Sequence, residues 1–114
     1  RPVSFAPFDV VVVPFPYSDR LAEKRRPALV VSAPRLGAEL ERLWVVMITS
    51  DRGRRFHGDA ELGDLAAAGL PAASIVRASK IATIEVSRVL RLAGRLGKAD
   101  QDKALAALRD CAGF

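Results

Sequence analysis

Three apolar runs occupy the first 50 residues, Val10 to Phe15, Ala28 to Ser32 and Leu43 to Ile48, and the first of them lacks the periodicity of a helix. Parallel strands need a crossover connection, usually a helix, so strands that follow one another without one pair antiparallel. The first run lies in Phe8-Asp-Val-Val-Val-Val-Pro-Phe-Pro16, rich in β-branched residues and closed by proline and aromatic side chains, and reads as a buried strand. Tyr17 to Arg26 is polar, and Pro27 biases Arg26 toward an extended backbone. That segment reads as a loop feeding the second strand, which Pro34 closes. The third run passes into Thr49-Ser50 and then into the charged stretch Asp51 to Arg55.

Further along, His57 to Leu62 is expected to form a short edge strand, and Asp64 to Gly69 a helical turn or two stopped by glycine. Ser74 to Ile84 alternates well enough for one long or bent strand, with Ile75, Arg77 and Ser79 on one face and Val76, Ala78 and Lys80 on the other. Lys98 to Cys111 switches to helical spacing, its stripe being Gln101, Ala104, Leu105, Leu108 and Ala112. Cys111 falls on the apolar side and is expected in the core. Four or five strands followed by a helix predict a mainly β fold with helical additions, a small, strongly curved antiparallel sheet closing into a partly open barrel. With 114 residues, a single domain spanning 1–114 is expected. The longest apolar run is six residues, against about 20 needed to cross a bilayer, and no signal peptide is expected within the 114 residues. One cysteine cannot form an internal disulfide, and with the lone His57 it falls short of a metal-binding set. No metal or cofactor is expected, and a reducing cytoplasm is the natural setting.

The net charge of +5 is unevenly spread. Between Arg20 and His57 nine basic residues face four acidic ones, an excess equal to the whole net charge, and elsewhere the two signs balance. The excess therefore belongs to two loops, which either keep the protein soluble or hold an anionic partner. A Gly-rich phosphate loop, a His–Cys triad with plausible geometry, an HExxH motif and a two-metal carboxylate cluster are all missing from the sequence. Arginines, hydroxyls and one histidine remain. That set suits phosphoryl chemistry on a substrate that brings its own nucleophile, as RNA does with its 2′-hydroxyl. Arg26 offers a planar fork for two phosphate oxygens, and Thr49 and Ser50 offer hydroxyls beside the second basic loop. If the second and third strands pair antiparallel, Arg26 and Thr49 converge. The alternative is one more loop arginine and a threonine that merely suits a strand end.

In four segments the chain resembles the MazF/PemK/Kid growth-inhibitor toxins. They are Phe8 to Pro16, Lys24-Arg-Arg-Pro-Ala-Leu-Val-Val-Ser32, Met47-Ile-Thr-Ser50 and Ser74-Ile-Val-Arg-Ala-Ser-Lys-Ile-Ala-Thr-Ile84. The resemblance implies an SH3-like small barrel of the PemK/MazF/CcdB type with a C-terminal helix, usually a homodimer. It implies metal-independent cleavage of single-stranded RNA to a 2′,3′-cyclic phosphate, restrained by a cognate antitoxin. By the same resemblance, Arg26 matches the catalytic arginine before proline and Thr49 the catalytic hydroxyl residue. Arg77 matches an arginine that some members use for proton transfer or phosphate contact.

Two positions beyond it those members carry an acid proposed as general base, where this chain has Ser79. Either Arg26 with Thr49 then suffices, or His57 or Asp51 substitutes, since imidazole exchanges protons at cellular pH. His57 read blandly is a solvated loop residue. Lys24, Arg25, Arg52, Arg54 and Arg55 are candidate phosphate contacts. Phe56 and Tyr17 are candidates either for stacking on unpaired bases or for plugging the barrel mouths. The antitoxin is expected to lay an acidic, partly disordered segment across the basic groove. Two other readings stay open: a non-catalytic toxin like the CcdB gyrase poisons, and an inactive RNA-binding barrel.

Overall fold

The computed structural model describes residues 4–15, 24–33 and 42–114. Six strands, β1 (Asp9–Phe15), β2 (Lys24–Val30), β3 (Arg42–Ser50), β4 (Asp59–Glu61), β5 (Ser74–Glu85) and β6 (Arg91–Arg95), form one sheet in the order β4-β5-β3-β2-β1-β6. Every neighbouring pair is antiparallel. A short helix α1 (Leu65–Ala68) joins β4 to β5, a 3-10 turn (Val86–Arg88) joins β5 to β6, and helix α2 (Lys98–Ala112) ends the chain. In a flat sheet β5 and β6 would lie four strand spacings apart, about 19 Å. The 3-10 turn and the few residues around it reach only about 16 Å. The sheet curls accordingly, and Leu90 N–H donates to the Val12 carbonyl at 2.8 Å where the chain comes round. The result is the mainly β, strongly curved, partly open barrel with a C-terminal helix that the strand pattern predicts.

Alternation along the strands divides the buried side chains between two faces. One face carries Val11, Val13, Ala28, Val30, Leu43, Val45, Met47 and Ile84, with Phe5, into the inside of the curl. The other carries Val10, Leu29, Val46, Ile48, Val76 and Ala78 against Ala104 and Ala107 of α2 and Ala68 of α1. α2 is anchored at its start by Asp100, whose carboxylate accepts the N–H groups of Gly63 and Asp64 at 2.9 Å each and pairs with Lys103 at 3.4 Å. Burial pushes the Asp100 carboxyl up, and those donors together with the Lys103 charge outweigh it, so its pKa lies below the usual 3.8.

Several expectations need correction. β2 begins at Lys24 rather than at Ala28, so Arg25, Arg26 and Pro27 lie in a strand. The ladder to β3 starts only at Ala28↔Met47, so the missing N–H of Pro27 falls where β2 has β1 alone for a neighbour. The expected 57–62 strand is only Asp59–Glu61, and β6 is a sixth strand that the sequence does not announce. β5 is one bent strand with a bulge. Its register on β3 jumps from Val46↔Ile81 to Met47↔Arg77, leaving Ala78, Ser79 and Lys80 without β3 partners. The bulge shifts the alternation by one, so Ala82 and Ile84 continue the face that Ile75 and Arg77 begin. On α2, Asp100 and Ala107 are buried whereas Leu105 is exposed. Cys111, on the last turn of α2, is exposed as well.

Candidate functional site

Cross-strand register brings the polar candidates to one end of the inner face. Side chains opposite one another in an antiparallel pair share a face. One row therefore runs Asp59 (β4), Arg77 (β5), Met47 (β3) and Ala28 (β2). The next runs Glu61, Ile75 and Thr49. Continued two residues past Ala28↔Met47, the β2–β3 register sets Arg26 opposite Thr49, where ladder pairing has already ended. Arg26, Thr49 and Arg77, which come from three consecutive strands, thus lie on the face turned away from α2. All three are half-buried, and the Arg26 Nε is out of contact with solvent.

Arg77 is fixed by a side-on pair of bonds, its Nε and Nη2 donating to Oδ1 and Oδ2 of Asp59, each at 3.1 Å. The Phe56 ring lies 4.3 Å from its Cζ, and the Arg54 guanidinium lies 5.2 Å from the same ring. Asp59 also accepts the Phe56 N–H at 2.8 Å. Its carboxyl is pushed up by burial but drawn further down by the Arg77 and Phe56 hydrogen bonds and by the Arg77 and Arg55 charges. Its net pKa is lowered and it is ionised at neutral pH.

The loop after β3 closes on itself. Arg55 donates from Nη1 and Nη2 to Asp51 at 2.7 and 3.0 Å, and from Nη2 to Glu61 at 2.8 Å. Asp51 also takes the Gly53 N–H at 2.9 Å. The Arg55 bond above all, helped by the Gly53 N–H, lowers the Asp51 pKa, which disfavours it as a proton acceptor. Arg55 is thus already paired, whereas Arg52 and Arg54 are exposed in the same loop.

The remaining candidates are scattered. Ser50 and Arg25 alternate away from Thr49 and Arg26 onto the opposite face and are exposed. Ser79 is exposed in the bulge, and His57 is exposed at the turn before β4. Lys24 begins β2 opposite Phe15, while Tyr17 lies outside the described residues. Sequence reasoning missed Asp59 and Glu61. The signal was there: two carboxylates at i, i+2 on an edge strand share a face, and each meets an arginine. Among the described residues no group of three or more His, Cys, Asp or Glu side chains is placed to hold a metal ion, and no helix is long and apolar enough to cross a membrane.

The family model of the PemK-like, MazF-like toxins of type II toxin–antitoxin systems matches residues 6–111. No curated protein matches the sequence. Among solved structures, a mycobacterial endoribonuclease in complex with its cognate antitoxin superposes with a TM-score of 0.78 at 20% identity, covering 97% of each chain. The MazF of Deinococcus radiodurans superposes with a TM-score of 0.78 at 18% identity, covering 99% of this chain and 100% of its own. The Mycobacterium tuberculosis toxin MazF-mt6 gives 0.73 at 21% identity, covering 93% and 97%.

Proposed function

The chain belongs to the PemK-like, MazF-like toxins of type II toxin–antitoxin systems, and on that premise we propose that it is an endoribonuclease that cuts single-stranded RNA. The 2′-hydroxyl of one nucleotide attacks its own 3′-phosphate. The P–O bond to the next nucleotide breaks, leaving a 2′,3′-cyclic phosphate and a 5′-hydroxyl. Because the nucleophile comes with the substrate, the protein's tasks are to hold the in-line geometry and to stabilise charge on the phosphorane. Arg26 supplies the guanidinium fork to two non-bridging oxygens and Thr49 a hydroxyl donor to the same phosphate. Arg77 adds a third donor. Ser79 cannot take a proton at neutral pH and the Arg55 bond lowers the proton affinity of Asp51, so the 2′-hydroxyl proton goes to solvent or to His57, and the departing 5′-oxygen takes its proton from solvent.

The observation that carries this reading is the register that sets Arg26 opposite Thr49 on the face away from α2, with Arg77 on the next strand. Arg52 and Arg54 hold flanking phosphates, and Phe56 offers an exposed ring for an unpaired base. The protein acts as a single toxin domain in the cytoplasm, as a homodimer. A cognate antitoxin, whose acidic segment covers these arginines, neutralises it.

The test is incubation with single-stranded RNAs of varied sequence in EDTA, alongside Arg26→Ala. Cyclic-phosphate ends from the unmodified protein alone are expected. Intact RNA with a folded sample would overturn the reading in favour of a barrel that binds its target without catalysis.

A further inference from the structure

β4 is the shortest strand and stands at the sheet edge, yet it carries two carboxylates, and each engages an arginine. The two pairs differ in burial. Glu61 is 64% exposed against Arg55, a surface arrangement of small energetic weight. The Asp59 side chain is 1% exposed and its Arg77 partner 16%. A carboxylate that far from water is retained only with full compensation, and Asp59 has it: Nε on Oδ1, and Nη2 together with the Phe56 N–H on Oδ2.

The geometry of a guanidinium makes this arrangement directional. Nε–H and one Nη2–H project to the same side of the planar group, so a carboxylate gripping both fixes the plane. Nη1 is left on the opposite side. Asp59 sits on β4, to one side of β5, and β3 with Met47 and Thr49 lies on the other. Holding Arg77 by its β4 side therefore turns Nη1 toward β3, and the Phe56 ring 4.3 Å from Cζ restricts the tilt of the plane.

We propose that Asp59 is the positioning residue of the site, gripping Arg77 so that Nη1 is presented to the phosphate bound by Arg26 and Thr49. The proposal rests on the nuclease reading above. Asp59 does not replace a general base, since both of its oxygens are occupied and its proton affinity is lowered.

Asp59→Asn keeps the shape but presents an amide donor to one of the two arginine N–H groups. The expected result is a fall in kcat of about 10- to 100-fold, as for a misplaced catalytic group, with KM within about threefold. Arg77→Ala should fall as far, and the double variant no further than Arg77→Ala alone. A folded Asp59→Asn that cleaves at the wild-type kcat, or losses that multiply in the double variant, would overturn the proposal. Should Asp59→Asn fail to fold, the wild type still decides. In ¹⁵N-arginine spectra its Arg77 Nε proton, assigned by its loss in Arg77→Ala, is expected to exchange more slowly than those of exposed Arg52 and Arg54. Equal exchange rates would overturn the lock. If the wild type cuts no RNA, the nuclease reading fails, and the positioning claim is read on binding of a 2′-deoxy oligonucleotide. There Asp59→Asn should match Arg77→Ala, each within about threefold of wild-type affinity, and a loss in Asp59→Asn that Arg77→Ala does not show would refute it.

Discussion

Asp100→Ala should unlatch α2 from the sheet at a cost that can be worked from its contacts. The Asp100 side chain is 3% exposed and accepts two backbone N–H groups, those of Gly63 and Asp64, from a segment more than 35 residues away in sequence. A hydrogen bond to a charged group contributes about 1.5–3 kcal/mol, and here truncation also strands two partly buried donors. The Lys103 pair adds little, its ammonium being half exposed. The sum is about 3–5 kcal/mol. A chain of this length has an unfolding entropy that turns each kcal/mol into about 4 °C, so the melting temperature should drop by about 12–20 °C. Urea denaturation at pH 7 measures the same quantity, and Lys103→Ala, expected to cost under about 1 kcal/mol, separates the carboxylate from its ion pair.

The pH dependence follows with a definite sign. The folded-state pKa of Asp100 lies below its ordinary value of 3.8, so the stability it contributes is fully present above about pH 4. It is lost as the pH falls through the folded-state value. The gap between wild type and Asp100→Ala should therefore hold from pH 7 to about 5 and close on further acidification. A gap under about 1 kcal/mol at pH 7, or one that widens toward pH 3, would refute the reasoning.

Three other outcomes are expected. In RNA-binding titrations against salt, Arg52→Ala and Arg54→Ala should each lower the log–log slope by about 1; Arg55→Ala should lower it less, because Asp51 and Glu61 already hold that guanidinium. Ser79→Asp should cleave as fast as the wild type or faster, and a large loss in initial-rate assays would give Ser79 a role of its own. Gly94→Ala should cost about 2–3 kcal/mol in urea melts, because the new methyl runs into the backbone of Ala67 and Ala68.

What the sequence made legible follows from what local pattern encodes. The β-branched runs of β1 and β3 and the helical spacing of α2 announce themselves, and α2 ends within a residue of its expected limit. β6 does not, because Arg91-Leu-Ala-Gly-Arg95 has weak strand formers and becomes a strand by pairing with β1. The inner side of α2 also escapes a periodicity argument. Asp100 is drawn inward by two N–H groups from another segment, while Leu105, on the apolar stripe, is left 41% exposed. At the site, Arg26 and Thr49 could be singled out on chemistry, and Arg77 through the family resemblance. The pairing of Arg77 with Asp59 and of Arg55 with Asp51 and Glu61 depends on strand register and loop closure, which single-sequence patterns do not carry.

The central claim is that Arg26 and Thr49 act on one phosphate. A double-mutant cycle on RNA cleavage tests it. Arg26→Ala should lose about 2–4 kcal/mol of transition-state stabilisation, about 30- to 1,000-fold in kcat/KM, by analogy with removal of one preorganised donor. Thr49→Val should also lose activity. If both groups serve the same phosphorane, the double variant falls clearly short of the product of the two single losses. Fully multiplicative losses, or a cleavage rate unmoved by Arg26→Ala, would contradict the account.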